Sequence, residues 1–504
     1  MMSFTSLQFV FGFLPLTFIG FVLANRWGGT KYAINFLALA SLVFYGMWGL
    51  PLLFVLLSSM IFNFAAGNVI ACLGAHPKVA RNLMLGAVLT NIFMLGYLKY
   101  TNFLIDVANQ MIGADIQHLN IMVPLGVSFF TFIQIGYLID AYNGQLLKHD
   151  FGRYIVFTAF FPCVTAGPLV LQREMMEQLG KSSITAWDLR RVTTGLTMFA
   201  MGLFKKVVLA DSIAPFADGV FNGVQSGGNL DAATAWIGAF CYTLQLYFDF
   251  SGYSDMAIGI ATVFAIKLPL NFDSPFKATN ISDFWRRWHM TMTRFFTTYV
   301  FSSLAMHGMR SAMSMRFEAF GRFMLVAALP SVLTFLVAGV WHGSGWNFVI
   351  YGLIHGLAIA VYLGWREFSG FQLPAPVAWL LTVVTVVCGL VMFRAADVTS
   401  AMTMLAHMWG LASSDPALAL LSIDTGTALS MIVLLGAITL LLPNTQQILH
   451  HEWPVVDTKP QTAAMDAGLI TWRPSFGTAL VSASIFAIAI TSIGSTSSFL
   501  YYKF

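Results

Sequence analysis

Long apolar stretches recur along the chain and alternate with short polar or basic segments. Because a membrane-spanning helix needs about 20 mostly apolar residues, each stretch is a candidate membrane segment. The pattern predicts such segments near residues 6–24, 33–48, 51–73, 83–98, 119–140, 154–171, 192–210, 233–265, 284–304, 323–341, 345–364, 376–393, 427–443 and 477–494. Since lipid cannot satisfy exposed backbone groups, we expect an all-α polytopic integral membrane protein with roughly 11–14 membrane-embedded segments.

The composition indicates that a lipid bilayer surrounds most of the chain. Of 504 residues, 58% are hydrophobic and 10% are charged, whereas soluble domains are about a quarter charged. The net charge of +4 does not indicate a nucleic-acid partner. Arg26 and Lys31 follow the first apolar segment, and the cytoplasmic bias of basic residues predicts that this end is cytoplasmic and the N-terminus outside. No C-x-x-C or H-E-x-x-H spacing predicts a metal site.

Two interruptions of the apolar pattern indicate that the protein does more than anchor itself in the membrane. Residues 160–168 contain two prolines and a glycine within an apolar run. Residues 283–294 carry three arginines and three aromatic residues, and this stretch is predicted to be an interfacial or re-entrant helix with Ser282 or Asp283 as its N-cap. Irregular backbone at membrane depth is tolerated where it lines a cavity or is buried in protein, which favours catalysis or transport.

A first polar cluster lies in the apolar segment near residues 233–265. It contains Asp249, Ser251, Tyr253 and Asp255. Such groups need partners or water at membrane depth. They are candidates for a cavity wall that orients a substrate or tunes a catalytic base, and equally for a buried polar network that joins helices.

A second cluster, residues 280–289, combines aromatic and basic side chains. Trp285, Arg286, Arg287 and His289 lie here. Guanidinium groups bind phosphate bidentately, so the arginines suit either lipid phosphates or the phosphates of coenzyme A.

A third cluster lies where two apolar segments meet, at Trp341, His342 and Asn347. Small neighbours allow a ligand to approach closely, and a neutral imidazole can take a proton from a hydroxyl group, as acyl transfer requires. A hydrogen-bonded packing histidine is the alternative. On one continuous helix His355 would lie about 20 Å from His342, too far for both to act on one atom.

Taken together, the motifs resemble the membrane-bound O-acyltransferase family, specifically its bacterial alginate O-acetylase-like branch. The matching stretches run in order from about residue 5 to residue 410. They are PLGVSFFTF (124–132), YLID (137–140), FFP (160–162) with AGP (166–168), FDFSGYSD (248–255), NFDSPF (271–276) with DFWRRWH (283–289), WHG (341–343) and, more weakly, FRAA (393–396). After His289 the chain lacks the acidic residue and paired glycines common in the family, so cellulose or another exopolysaccharide is as compatible as alginate.

The resemblance implies a single transmembrane domain over residues 1–504 with a central tunnel. Peripheral helices would cover about residues 1–115, the catalytic core about 116–370 and C-terminal helices about 371–504. It implies that His342 is the catalytic histidine and that His289 occupies the second signature position. It also implies acetyl-CoA as the donor with no bound cofactor, a location in the bacterial inner membrane, and a periplasmic acetyltransferase and other exopolysaccharide-synthesis subunits as partners.

The mechanistic hypothesis is general-base acyl transfer to a hydroxyl group. His342 would take the proton, and His289 would orient the thioester or stabilise the oxyanion. Two alternatives from other classes stay open: a polysaccharide transporter or channel, and a structural subunit of an export complex.

Overall fold

The structure is a computed structural model that describes residues 2–181, 188–414, 421, 423–450, 452, 455–456, 470–494 and 499–500. Within these residues the regular secondary structure consists of helices. The β-type pairing there is an isolated bridge between Leu268 and Val455. The first ten α-helices are α1 (Leu14–Gly46), α2 (Leu50–Cys72), α3 (Pro77–Leu95), α4 (Thr101–Ile112), α5 (Val127–Tyr142), α6 (Phe151–Ala159), α7 (Gln172–Leu179), α8 (Leu189–Phe204), α9 (Asp211–Gln225) and α10 (Ala232–Val263). The others are α11 (Ile281–Arg287), α12 (Met290–Phe296), α13 (Ser302–Ser314), α14 (Ala319–Phe323), α15 (Leu329–His342), α16 (Trp346–Phe368), α17 (Ala375–Arg394), α18 (Val398–Met408), α19 (Thr425–Leu441), α20 (Thr445–Ile448) and α21 (Phe476–Thr491).

Short π-helical and 3₁₀ segments extend or join several of these helices. The π-helical segments are Phe9–Phe13, Gly96–Tyr100, Lys205–Ala210, Thr297–Phe301 and Met324–Ala328, and Pro275–Lys277 is a 3₁₀ turn. π-Helical turns often mark functional sites. Thr297–Phe301 follows α12, the helix that begins next to His289, and Met324–Ala328 precedes α15, the helix that ends at His342.

The chain divides into two compact units. Unit 1 contains Met1–Leu203, Tyr253–Leu270 and Leu449–Lys503. Unit 2 contains Phe204–Gly252 and Asn271–Ile448. The second and third polar clusters, and the first two candidate residues of the first cluster, therefore belong to unit 2.

Apolar helices of membrane-spanning length confirm a multi-pass membrane protein. Within the described residues seven helices are long and apolar enough to cross a bilayer: Phe9–Gly46, Leu50–Cys72, Pro77–Ile112, Leu189–Gln225, Ala319–His342, Trp346–Phe368 and Ala375–Arg394. Three shorter apolar helices are Val127–Tyr142, Thr425–Leu441 and Phe476–Thr491. The all-α fold class is confirmed.

The first of these helices contains the break that the sequence predicts between two apolar segments. Gly29 has φ 72° and ψ −168°, far from helical values. A Cβ atom on Gly20 would lie 2.2 Å from the ring of Phe36, so the residues before and after Gly29 fold back on each other. Arg26 and Lys31 lie on either side of this turn in sequence, and charged residues are expected where a helical hairpin turns at the membrane surface.

Two predicted segments are wrong in their details. The segment near 119–140 begins as a helix only at Val127, because Pro124 lacks a backbone donor and Gly126 adopts φ 70°. The stretch 283–294 is not one helix but α11 and α12, separated at His289, which has φ 45°. The N-cap of α11 is Asn280, whose side chain accepts a hydrogen bond from the backbone of Asp283 at 2.8 Å, and not Ser282 or Asp283.

In unit 2, α15 and α16 form a tightly packed antiparallel hairpin. A Cβ atom on Gly339 would lie 2.4 Å from the backbone oxygen of Phe348, and one on Gly352 would lie 2.4 Å from that of Phe335. Small residues at such crossings let two membrane helices approach closely. At the far end of the hairpin, the rings of Phe323 and Phe368 lie 5.3 Å apart. His342 therefore lies at the end where the hairpin turns.

Candidate active site

His342 is the last residue of α15 and its ring is buried among aromatic side chains. Its centroid lies 4.7 Å from Trp341, 5.8 Å from Tyr351 and 5.1 Å from Phe393. The turn after it depends on glycine, because a Cβ atom on Gly343 would lie 2.1 Å from the ring of Phe348. The C-terminal end of a helix carries partial negative charge, so a positive charge that develops on this ring during a reaction would be stabilised.

His289 lies between α11 and α12 and is fully buried. Its Nδ1 atom lies 3.0 Å from Oδ1 of Asn271. That oxygen also accepts a hydrogen bond from the Thr291 hydroxyl at 3.0 Å and one from the Thr291 backbone N–H at 3.4 Å. A backbone N–H can only donate, so the Asn271 atom is an acceptor and His289 donates through Nδ1. The neutral ring then presents Nε2 as an acceptor.

The surroundings of His289 keep it neutral. Burial lowers its pKa from 6.5 to about 3. It also precedes the first turn of α12, where the partial positive charge of a helix N-terminus opposes an imidazolium. The backbone around it is held by hydrogen bonds from Met290 N–H to the Asn271 oxygen and from Asp273 N–H to the Arg287 oxygen, both 2.9 Å.

Both histidines lie close to one indole ring. The Trp341 ring is 6.2 Å from the His289 ring and 4.7 Å from the His342 ring. The ring of Phe250 lies 4.7 Å from that of His289. The fold thus brings together the residues of the second and third clusters, although 52 positions separate His289 from Trp341 in sequence.

Residues at the end of α17, which lie outside the set of predicted site residues, support the turn that follows His342. Phe393 packs on His342, and also lies 5.4 Å from Phe348. Asn347, a predicted substrate-binding residue, donates its side-chain amide to the backbone oxygen of Ala395 at 3.1 Å. In the sequence these residues belong to the FRAA motif (393–396), but the motif alone does not show that they contact His342 and Asn347.

Arg394 in the same motif forms an ion pair. Its guanidinium lies 2.6 Å from Asp218 and above the rings of Phe221 and Tyr242, at 5.3 and 5.8 Å. These contacts anchor the end of α17 to α9 and α10, and thereby hold Phe393 against His342.

Asp249, predicted to bind substrate or tune the site, lies in a buried ion cluster. The Lys206 ammonium is 2.7 Å from Asp249 and 2.7 Å from Asp211, and the side chains of Lys206 and Asp249 are each 2% exposed. A buried carboxylate paired in this way is held as an anion and joins α10 to the π-helical segment before α9. This geometry supports the structural alternative for Asp249.

The other candidates of the first cluster are also buried. Ser251 belongs to unit 2, and its Oγ atom has no hydrogen-bond partner among the described residues. In unit 1, the Tyr253 hydroxyl is hydrogen-bonded to Thr165 of the AGP stretch, and the Tyr253 ring stacks on Phe4 at 5.0 Å. Asp255 is buried in the same unit. The four candidates thus divide between the two units.

The two arginines of the second cluster share one carboxylate. Asp283 accepts from Arg287 at 2.8 Å and from Arg286 at 3.1 Å. Arg287 also donates to the backbone oxygen of Asp273 at 3.3 Å. Arg287 is therefore committed to the fold around His289, whereas the Arg286 side chain, 68% exposed, is accessible to a phosphate.

His355 lies closer to the site than a continuous helix would allow. The chain reverses between α15 and α16, and the Tyr351 ring contacts both His342 and His355, at 5.8 and 4.7 Å. The expected separation of about 20 Å is therefore wrong. Trp285, a predicted donor-binding residue, lies 5.0 Å from His355 with the two rings nearly perpendicular.

The described residues contain no cluster of three His, Cys, Asp or Glu side chains suited to a metal ion. The four cysteines, Cys72, Cys163, Cys241 and Cys388, are free. The residues described at the site bring two imidazoles together among aromatic rings.

Comparison with known proteins gives the class of this chain. A family model described as MBOAT, membrane-bound O-acyltransferase family, matches residues 128–403. Peptidoglycan O-acetyltransferase of Helicobacter pylori is 37% identical over 433 residues, covering 80% of this chain and 79% of the relative. The "Probable alginate O-acetylase AlgI" of Pseudomonas putida is 32% identical over 511 residues, covering both chains in full. A teichoic acid D-alanyltransferase of Streptococcus thermophilus is 29% identical over 48% of this chain and 57% of its own length.

The chain belongs to the membrane-bound O-acyltransferase family and is a multi-pass membrane O-acyltransferase. The matched region includes both histidines and Phe393, so the site described above lies within the family's domain.

Proposed function

We propose that this protein transfers an acetyl group from acetyl-CoA, taken from the cytoplasm, across the bacterial inner membrane for O-acetylation of a secreted polysaccharide such as alginate or cellulose. The relatives named for alginate and peptidoglycan O-acetylation support an acetyl group and a carbohydrate acceptor. The observation that carries the proposal is the pair of buried histidines that both lie close to Trp341.

In the proposed reaction His342 is the general base. The acceptor hydroxyl oxygen attacks the thioester carbonyl carbon, His342 takes the hydroxyl proton, and the C–S bond breaks as the tetrahedral intermediate collapses. The proton then passes from His342 to the leaving thiolate, so the enzyme returns to its starting state. The helix end at His342 stabilises the transient imidazolium, which is the charge that this step creates.

His289 has a different role because it stays neutral. With Nδ1–H committed to Asn271, its Nε2 atom accepts a hydrogen bond from an N–H or O–H group of a substrate. An acceptor at Nε2 supports a role for His289 in orienting a substrate. Stabilising an oxyanion would instead require a hydrogen-bond donor at Nε2.

The acceptor and partners follow from the same proposal. A periplasmic acetyltransferase would receive the acetyl group and place it on the polymer, alongside other subunits of exopolysaccharide synthesis. Arg286 is the arginine of the second cluster that is accessible to the phosphates of acetyl-CoA.

The proposal is tested with purified full-length protein in liposomes, with radiolabelled acetyl-CoA inside and a hydroxyl acceptor outside. The expected result is release of free coenzyme A inside and labelled ester outside, in equal amounts. Export of unmodified oligosaccharide without consumption of acetyl-CoA would instead support a transporter and contradict the proposal.

A further inference from the structure

His355 is a buried polar residue in the middle of a membrane-spanning helix. It is 1% exposed and lies about 13 Å along α16 from Trp346, at 1.5 Å rise per residue. Neither ring nitrogen has a hydrogen-bond partner among the described residues. A buried donor or acceptor left unsatisfied destabilises the fold. An apolar side chain would therefore suit packing better, and polar groups at this depth are functional candidates by default.

The surroundings of His355 are built around its ring. A Cβ atom on Gly389 of α17 would lie 2.4 Å from the His355 Nε2 atom, so glycine makes room for the imidazole. Trp285 of α11 covers the ring from another side at 5.0 Å. The Trp285 indole Nε1–H, on a side chain that is 3% exposed, also has no hydrogen-bond partner in the described part of the chain. Two neighbouring residues thus offer buried, uncharged hydrogen-bonding groups.

The position of His355 relates it to one side of the proposed reaction. α16 runs from the turn beside His342 to an end that carries Arg366, and Arg322 lies at the adjoining end of α14. Basic residues mark the cytoplasmic end of membrane helices. His355 lies between that end and His342, and its ring contacts Tyr351, which in turn contacts His342. A donor that entered at the basic end and reached His342 along α16 would therefore pass His355.

We propose that His355 and Trp285 bind an uncharged polar group of the acyl donor, the amide-bearing pantetheine arm of acetyl-CoA. The inference rests on the proposed function. An amide group has one donor and one acceptor, which match the N–H and lone pair of a neutral imidazole together with the indole N–H. A charged portion of the donor would instead require an ionic partner at this depth.

The test measures equilibrium binding of acetyl-CoA and of S-acetylpantetheine, which lacks the nucleotide and its phosphates, to the full-length protein in detergent. The variants are His355→Leu, His355→Asn and Trp285→Phe. His407→Leu is the matched control, because His407 is a buried histidine of α18 whose Nδ1 atom also has no partner among the described residues.

His355→Leu is expected to raise the Kd for both probes by the same factor, roughly 5- to 10-fold for one lost neutral hydrogen bond. Trp285→Phe should act in the same direction, His355→Asn should recover part of the affinity, and His407→Leu should leave the Kd unchanged. The melting temperature of His355→Leu should not fall.

Three results would overturn the inference. One is an unchanged Kd in His355→Leu, and another is a loss confined to acetyl-CoA, which would place the contact on the nucleotide half. The third is a fall in melting temperature that accounts for the weaker binding and that His355→Asn does not relieve. If the wild-type protein binds neither probe, the proposed donor itself is wrong, which distinguishes failure of the function from failure of this site.

Discussion

The Nδ1 atom of His289 lies 3.0 Å from the Oδ1 atom of Asn271. This contact decides which nitrogen of the buried histidine carries the proton and leaves Nε2 as an acceptor. It also gives Asn271, which precedes His289 by 18 positions, a direct part in setting the chemistry of the site. The first prediction follows from it.

Asn271→Asp should move the acidic limb of the pH–rate profile to higher pH. A carboxylate beside Nδ1–H stabilises the imidazolium, so the pKa of His289 rises from about 3. Protonation of Nε2 then removes the acceptor at a higher pH than in the wild-type protein. The initial rate of acetyl transfer between about pH 4 and pH 8 measures the shift, a window that lies above the wild-type transition and spans the ordinary histidine pKa.

Asn271→Leu is the companion variant, because it removes the acceptor without adding charge. It should lower turnover by about tenfold, the equivalent of one buried hydrogen bond, without shifting the acidic limb upward. Identical pH profiles for the wild-type protein and Asn271→Asp would show that His289 does not titrate within the reaction.

Phe393→Leu should lower kcat with little change in KM for acetyl-CoA. Phe393 packs on the His342 ring at 5.1 Å, so its loss loosens the orientation of the base and not the binding of the donor. Loss of aromatic packing in a buried site costs about 1–3 kcal/mol, a reduction of roughly 5- to 150-fold if expressed in the transition state. Phe320→Leu, at the other end of the hairpin, is the control and should retain wild-type kcat.

Asn347→Asp should be at least as harmful as Asn347→Ala. The side-chain amide donates to the Ala395 backbone oxygen at 3.1 Å, and an aspartate would turn an acceptor towards that carbonyl. Either change should lower turnover and the melting temperature, with a free-energy cost of about 1–3 kcal/mol. An Asn347→Asp protein that folds and turns over normally would show that the link between α16 and the end of α17 is not needed.

Lys206→Met should destabilise the protein by about 3–5 kcal/mol, because it leaves Asp249 buried without its cation. Lys206→Met/Asp249→Asn should recover part of that loss, since no uncompensated charge then lies at Asp249. Thermal unfolding in detergent, with the two single variants completing a double-mutant cycle, measures the coupling. Full additivity of the two changes would argue against the ion pair.

Much of the fold follows from local patterns that the sequence displays. Apolar runs of membrane length placed most helices within a few residues, and the basic pair Arg26 and Lys31 marked the turn at Gly29. The boundary between the predicted segments 323–341 and 345–364 coincides with the turn between α15 and α16. Helix length and chain breakers depend on neighbours in sequence, so a single sequence suffices to find them.

The details of the site depend on distant contacts that no local pattern contains. The sequence around Asp249 suits catalysis as well as structure, and the ion-pair partner that favours structure, Lys206, lies 43 positions earlier. Phe393 lay in a recognised motif, but its packing on His342 depends on how α17 crosses α16. The N-cap of α11 was placed two or three residues too late because Asn280, Ser282 and Asp283 are all good capping residues.

Whether His342 carries acetyl transfer is decided by comparing the wild-type protein with one variant. Transfer of radiolabel from acetyl-CoA is measured with purified wild-type protein and with His342→Ala at equal amounts and equal melting temperature. The account predicts that His342→Ala still binds acetyl-CoA but transfers label at least about 100-fold more slowly, the range typical of a lost general base. Transfer at the wild-type rate by a well-folded His342→Ala protein would contradict it.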